Sequence, residues 1–145
     1  MLLGTDPSAL KLAPTASLPH VWAVVMELRV GPDVASLVAV ADGSVSLYTS
    51  RGGGVIGAGR HAGVRQAATR LLEIAERSIA SFGERASFPP PSPDRVGFIV
   101  LTYERRLGAD VSESEIKAGT HALAPCYDAA QDVITAMRLV SPGPA

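Results

Sequence analysis

Residues 20–141 are predicted to form one α+β domain of two layers. A five-stranded mixed, mostly antiparallel sheet in the order β-β-β-α-β-β-α carries two helices on one face. Three observations predict it. Between residues 20 and 50, three runs rich in β-branched residues are separated by turn chemistry. From Val64 to Phe82 the apolar period changes from two to 3.6. An apolar run at 95–103 and a last helical stripe at 126–140 then repeat that change.

Residues 1–19 carry Pro7, Pro14 and Pro19 without a sustained period and are expected to form a flexible N-terminal arm. In "HVWAVVMELRV", Trp22, Val24, Met26, Leu28 and Val30 share one face, and Val21, Ala23 and Val25 make the other face apolar for half the strand. "GPD" at 31–33 is turn chemistry, and Val34–Val40 reads as a second strand. Asp42-Gly43 offers the positive φ of a tight hairpin, so Ser44–Ser50 should return antiparallel. Val64, Ala68, Leu71, Leu72, Ala75 and Ile79 then mark a helix, with Arg65, Arg70, Glu73, Glu76 and Arg77 on its opposite face. The proline-rich stretch after Phe82 cannot continue a helix and should wrap the surface. Arg95–Tyr103, apolar on both faces, reads as a central strand, followed by a short strand at Leu107–Val111. Ser112 with Glu115 fits a capping box for one helical turn ended by Gly119. Pro125 suits the first turn of the last helix, and residues 142–145 form a tail.

A right-handed crossover would set the fourth strand parallel to, and beside, the first, with both helices on one face. The other sheet face then lacks helical cover, which predicts a homodimer or a protein partner there. Which strand parity meets the helices stays open.

Composition narrows the function classes. Thirteen basic and fourteen acidic residues give no general pull toward nucleic acid or anionic membrane. One cysteine excludes an internal disulfide and suits a reducing compartment, so a cytoplasmic location is expected. The Val21–Met26 run is far too short for a membrane helix.

The segment "RGGGVIGAGRH" (51–61) holds the candidate ligand site: Arg51, Gly52, Gly53, Gly54, Gly57, Gly59, Arg60 and His61. Gly52, Gly54 and Gly57 match G-x-G-x-x-G between a strand and a helix. A dinucleotide site, however, starts its helix inside that motif and follows a strand of a parallel unit. Arg60-His61 also stands where a P-loop needs Lys and then Ser or Thr. Glycines that supply positive φ and close backbone approach are the favoured reading. A simpler site remains open, in which backbone N–H groups flanked by Arg51, Arg60 and Arg65 hold a carboxylate or one phosphate.

"VASLVAVADGSVSLYTSRGGGVIGAG", "VRQAATRLLEIAE" and "HALAPCYDAAQDVITAMR" resemble a family of uncharacterised bacterial proteins with an "ADG…SLY…GGG-IG" signature, over most of residues 20–139. That resemblance implies no activity for any residue. The architecture is also similar to profilin-like and roadblock-like modules, which bind partners and dimerise, although their element order differs.

No catalytic set, metal site or cofactor is expected. Cys126 lies on an apolar stripe and reads as core. His61, His121 and Cys126 lack zinc-site spacing. His20 reads as a surface residue at a strand start, Asp128 and Asp132 as a solvated helix face, and Tyr48 as a packing residue opposite Val45 and Leu47. The favoured function is a non-enzymatic interaction or dimerisation module; the alternative is a small-molecule anion- or phosphate-binding protein, with an enzyme as one form of it, using the Gly52–His61 loop.

Overall fold

The computed structural model describes residues 6–50, 52, 54, 55, 58–85 and 87–140. In chain order it contains β1 (Val21–Val30), β2 (Asp33–Val40), β3 (Val45–Thr49), β4 (Gly54–Val55), α1 (Ala62–Arg77), β5 (Gly83–Glu84), β6 (Arg95–Thr102), β7 (Arg106–Ser112), α2 (Glu113–Lys117) and α3 (Ala124–Val140). The strands lie in the order β4-β3-β2-β1-β6-β7-β5, and every pairing is antiparallel.

The predicted α+β class and open sheet are found, with three corrections. Seven strands replace five among the described residues, because β4 and β5 are two-residue strands too short to show a period. The short α2, expected only as one capped helical turn, is a third helix beside the two of the predicted layer. Strand β6 lies beside β1 as expected, but antiparallel to it. The crossover rule governs one connection between parallel strands. Here β3 first turns back into β4, and a long proline-rich segment follows α1, so that rule does not apply.

Caps and turns fall where the residue chemistry puts them. Gly31 and Gly43 take positive φ in the two hairpin turns. Ser112 caps α2 by accepting from the Glu115 N–H, and Gly119 takes positive φ beyond its end. The Gly119 and Thr120 amides then donate to the Ile116 and Glu115 carbonyls, which closes a Schellman motif.

The parity left open by the sequence is given by the packing of β1 against the helices, with a bulge at its start. Val24, Met26 and Leu28 of β1 face the helices, together with Leu37, Ala39, Val45, Val96, Phe98, Val100, Leu107 and Val111. They pack against Val64, Ala68, Leu71, Leu72 and Ala75 of α1 and the Cys126–Met137 stripe of α3. The β1–β6 register shifts between Val21 and Ala23, so Trp22 does not share the face of Val24 and Met26 as alternation predicts. It joins Ala23, Val25, Val40, Ile99 and Leu101 on the second face, and its indole N–H donates to the Thr102 carbonyl.

That second face is not left bare. Asp6 caps a 3-10 turn at Pro7–Leu10, and Leu10 and Leu12 pack on the second cluster. The arm expected to be flexible therefore contributes cover for Trp22. On the other side, Phe82 stacks edge-on against Phe98 beneath the helices, their ring centroids 6.2 Å apart. The chain then rounds the β7 edge through β5 and lays Phe88 on the second cluster. The Arg29 side chain holds this strap by donating from Nε to the Pro91 carbonyl at 2.9 Å.

Candidate functional site

The glycine segment folds as a hairpin followed by a turn. Tyr48 pairs with Gly54 and Leu47 with Val55, so β4 runs back along the outer edge of β3. Gly52, with φ +95°, sits in the connecting turn, where its amide donates to the Thr49 carbonyl. A Cβ at Gly54 would run into the Leu47 carbonyl oxygen. Past β4, a 3-10 turn at Ala58–Arg60 brings Gly59 so close to the β2–β3 turn that a Cβ there would strike the Gly43 carbonyl oxygen.

The described glycines are therefore strung along β3, from Thr49 at one end to Val45 and Gly43 at the other. Four strand steps of about 3.3 Å separate those ends by ~13 Å. They do not gather around one helix N-terminus as a phosphate cradle requires. Arg60 is exposed, and His61 is the N-cap residue of α1 without a side-chain capping bond. Arg51, Gly53 and Gly57 lie outside the described residues. Arg65 has a structural task, since its Nη1 donates to the carbonyls of Gly59 at 3.0 Å and Arg60 at 2.8 Å.

On the second sheet face the registers align a row across the sheet: Tyr48 opposite Ser36, Ser36 opposite Glu27, Glu27 opposite Gly97 and Gly97 opposite Asp110. Ser36 Oγ donates to Glu27 Oε2 at 3.3 Å. Burial pushes the Glu27 carboxyl above the usual glutamate value, and the Ser36 bond offsets only part of this. Asp110 is held apart by Arg95, whose Nε donates to it at 2.6 Å. The arm and the strap cover the β1, β6 and β7 part of this face. Over β2 and β3 the cover thins: Val34, Ser36, Val38 and Ser46 are half-buried, and Tyr48 is 43% exposed. Tyr48 thus has the predicted orientation but stands exposed rather than packed among the described residues.

Cys126 is 1% exposed, and burial raises its thiol pKa against a hydrogen bond with Ser78, so it is a core residue as predicted. His121 Nδ1 accepts from the Leu123 N–H at 3.0 Å at the entry to α3. Asp128 and Asp132 are exposed on that helix. Among the described residues, no three His, Cys, Asp or Glu side chains cluster to hold a metal ion. None of their helices is long and apolar enough to cross a membrane.

No protein-family model, curated protein or solved structure matches the chain. Function must therefore be argued from the geometry of its own residues.

Sequence reasoning missed Glu76, assigned to the solvated side of α1. Its side chain is 11% exposed and accepts from the backbone N–H of His20 at 2.8 Å and of Val21 at 2.9 Å, with His20 Nδ1 at 2.9 Å from its second oxygen. Burial alone would raise this carboxyl, but the amides and the imidazole outweigh it and hold the pKa below the ordinary value. The signal is faint in sequence: a glutamate beside the last buried residue of the stripe, Ala75, and a strand start with unpaired amides 55 residues away.

Proposed function

We propose that the protein is a non-enzymatic self-association module, whose two copies meet through the thinly covered β2–β3 part of the second sheet face. The observation that carries this reading is the row Tyr48, Ser36, Glu27. It presents an exposed phenol at one end and a partly desolvated carboxylate at the other, two strands or about 10 Å apart. A two-fold interface requires each residue to meet its counterpart reciprocally. A donor and an acceptor on one row satisfy this when the Tyr48 hydroxyl of each copy donates to the Glu27 carboxylate of the other. Half-buried Val34 and Val38 supply apolar area beside them, and tyrosine is suited to such a patch because its ring is apolar and its tip polar.

The proposed surface is narrower than a wholly bare sheet face, since the arm and strap occupy the rest. A charge-swap cycle tests it. Tyr48→Glu sets like charges against each other and should weaken dimerisation at least tenfold. Adding Glu27→Lys to the same chain restores an opposite-charge pair across the two-fold and should recover most of the loss. Weakening without recovery would exclude the Tyr48–Glu27 pairing.

A further inference from the structure

A groove of about 520 Å³ runs between the β2–β3 turn and α1, on the opposite side of the molecule from the Tyr48 row. From this groove we propose a binding site for a small zwitterion bearing a carboxylate and an ammonium, of amino-acid to short-peptide size. The volume lies within the range of small-molecule sites. Its helical wall is one stripe of α1, from Ala62 to Glu73, about 16 Å long at 1.5 Å per residue.

The groove has a pre-set cation. Arg65 lies with its aliphatic chain against Gly43, where a Cβ would sit 3.5 Å from the arginine Cδ. Its Nη1 is fixed on the Gly59 and Arg60 carbonyls. A guanidinium carries five N–H donors in a rigid fork, so the Nε and Nη2 donors remain for a ligand already oriented. Gln66, Thr69 and Arg70 line the same wall, and their side chains have no protein partner among the described residues.

Charge selects the ligand class. Two arginines, Arg65 and Arg70, share the lining with two carboxylates, Asp42 and Glu73. A polyphosphate or nucleic acid backbone would meet the carboxylates, and a simple cation would meet the arginines. A ligand with one charge of each sign has a counterpart for both: carboxylate at the arginines, ammonium at the carboxylates. The groove shares no residue with the Tyr48, Ser36 and Glu27 row.

The test is an amide NMR titration of the full chain with the dipeptide Ala-Ala, its N-acetylated form, its C-terminal amide and sodium phosphate. Ala-Ala should shift the amides of Gly43 and of residues 62–73 saturably, with a Kd of millimolar or tighter. Each blocked form should bind at least tenfold more weakly, and so should Arg70→Ala and Glu73→Ala. Both substitutions are on the helix surface away from the packed core, and an unchanged spectrum outside the groove would show the fold intact. Absence of saturable shifts up to 20-fold above millimolar Ala-Ala would overturn the proposal. So would equal binding of the blocked dipeptides, binding unaffected by both substitutions, or shifts produced by phosphate alone.

Discussion

Two glutamates on opposite sides of the sheet are perturbed in opposite directions, and each predicts its own pH dependence. Glu76 is the carboxylate that ties the end of α1 to the start of β1. Its folded pKa lies below the ordinary 4.5, so the stability it contributes is present above that value and is lost as pH falls through the folded pKa. Glu76→Gln should cost roughly 1–3 kcal/mol at pH 7, read from chemical denaturation, because it removes the charge from bonds to two backbone amides. Glu27 behaves inversely. Its folded pKa is raised, so the fold is favoured while the group is protonated, and this advantage disappears as pH rises through the folded value. Glu27→Gln should therefore melt higher than the natural chain at pH 7, at a concentration where both are monomeric, with the gap closing below about pH 4.5. An equal gap at both pH values would show that ionisation of Glu27 is not what the substitution relieves.

At the scale of elements, the glycine segment makes a strand reverse and then pass close to a neighbouring turn. Gly59→Ala and Gly54→Ala should each destabilise by ~2 kcal/mol or more, since a methyl there meets backbone oxygen that cannot rotate away. Gly52→Ala should cost less, about 1 kcal/mol, because it strains only a positive φ with open space around it. Arg60→Ala should stay within about 0.5 kcal/mol, as expected of an exposed side chain whose substitution leaves its backbone carbonyl in place. These elements also show what the sequence could reveal. Helical period identified α1 and α3, strand-length runs of β-branched and apolar residues between turn signals identified the five longer strands, and Ser112 with Glu115 and Gly119 identified α2's ends, because each signal is local. Strands β4 and β5 were invisible, since two residues have no period and their pairing depends on a remote edge. The bulge at Trp22 was invisible for a related reason: register is a property of the β1–β6 pair, and alternation along β1 alone assigns Trp22 to the wrong face.

For the whole molecule, the second sheet face decides how the chain closes and where it stays open. Its apolar residues were legible in β1 and β6, whereas the identity of their cover was not, because Leu10 in a single 3-10 turn and Leu12 and Phe88 in loops carry no sequence period. Deleting residues 1–19 should therefore expose Trp22, now 3% exposed, and shift its fluorescence to longer wavelength with a loss of stability. An unchanged spectrum would mean that the arm does not shield the indole. The β2–β3 end of the same face remains for a second copy, and the most direct measurement is the solution mass. Sedimentation equilibrium of the full chain, from low to high micromolar, should show a reversible shift from the 15.0 kDa monomer to a species of twice that mass, which Tyr48→Glu moves to higher concentration. A natural chain that stays at the monomer mass throughout would contradict self-association through this face.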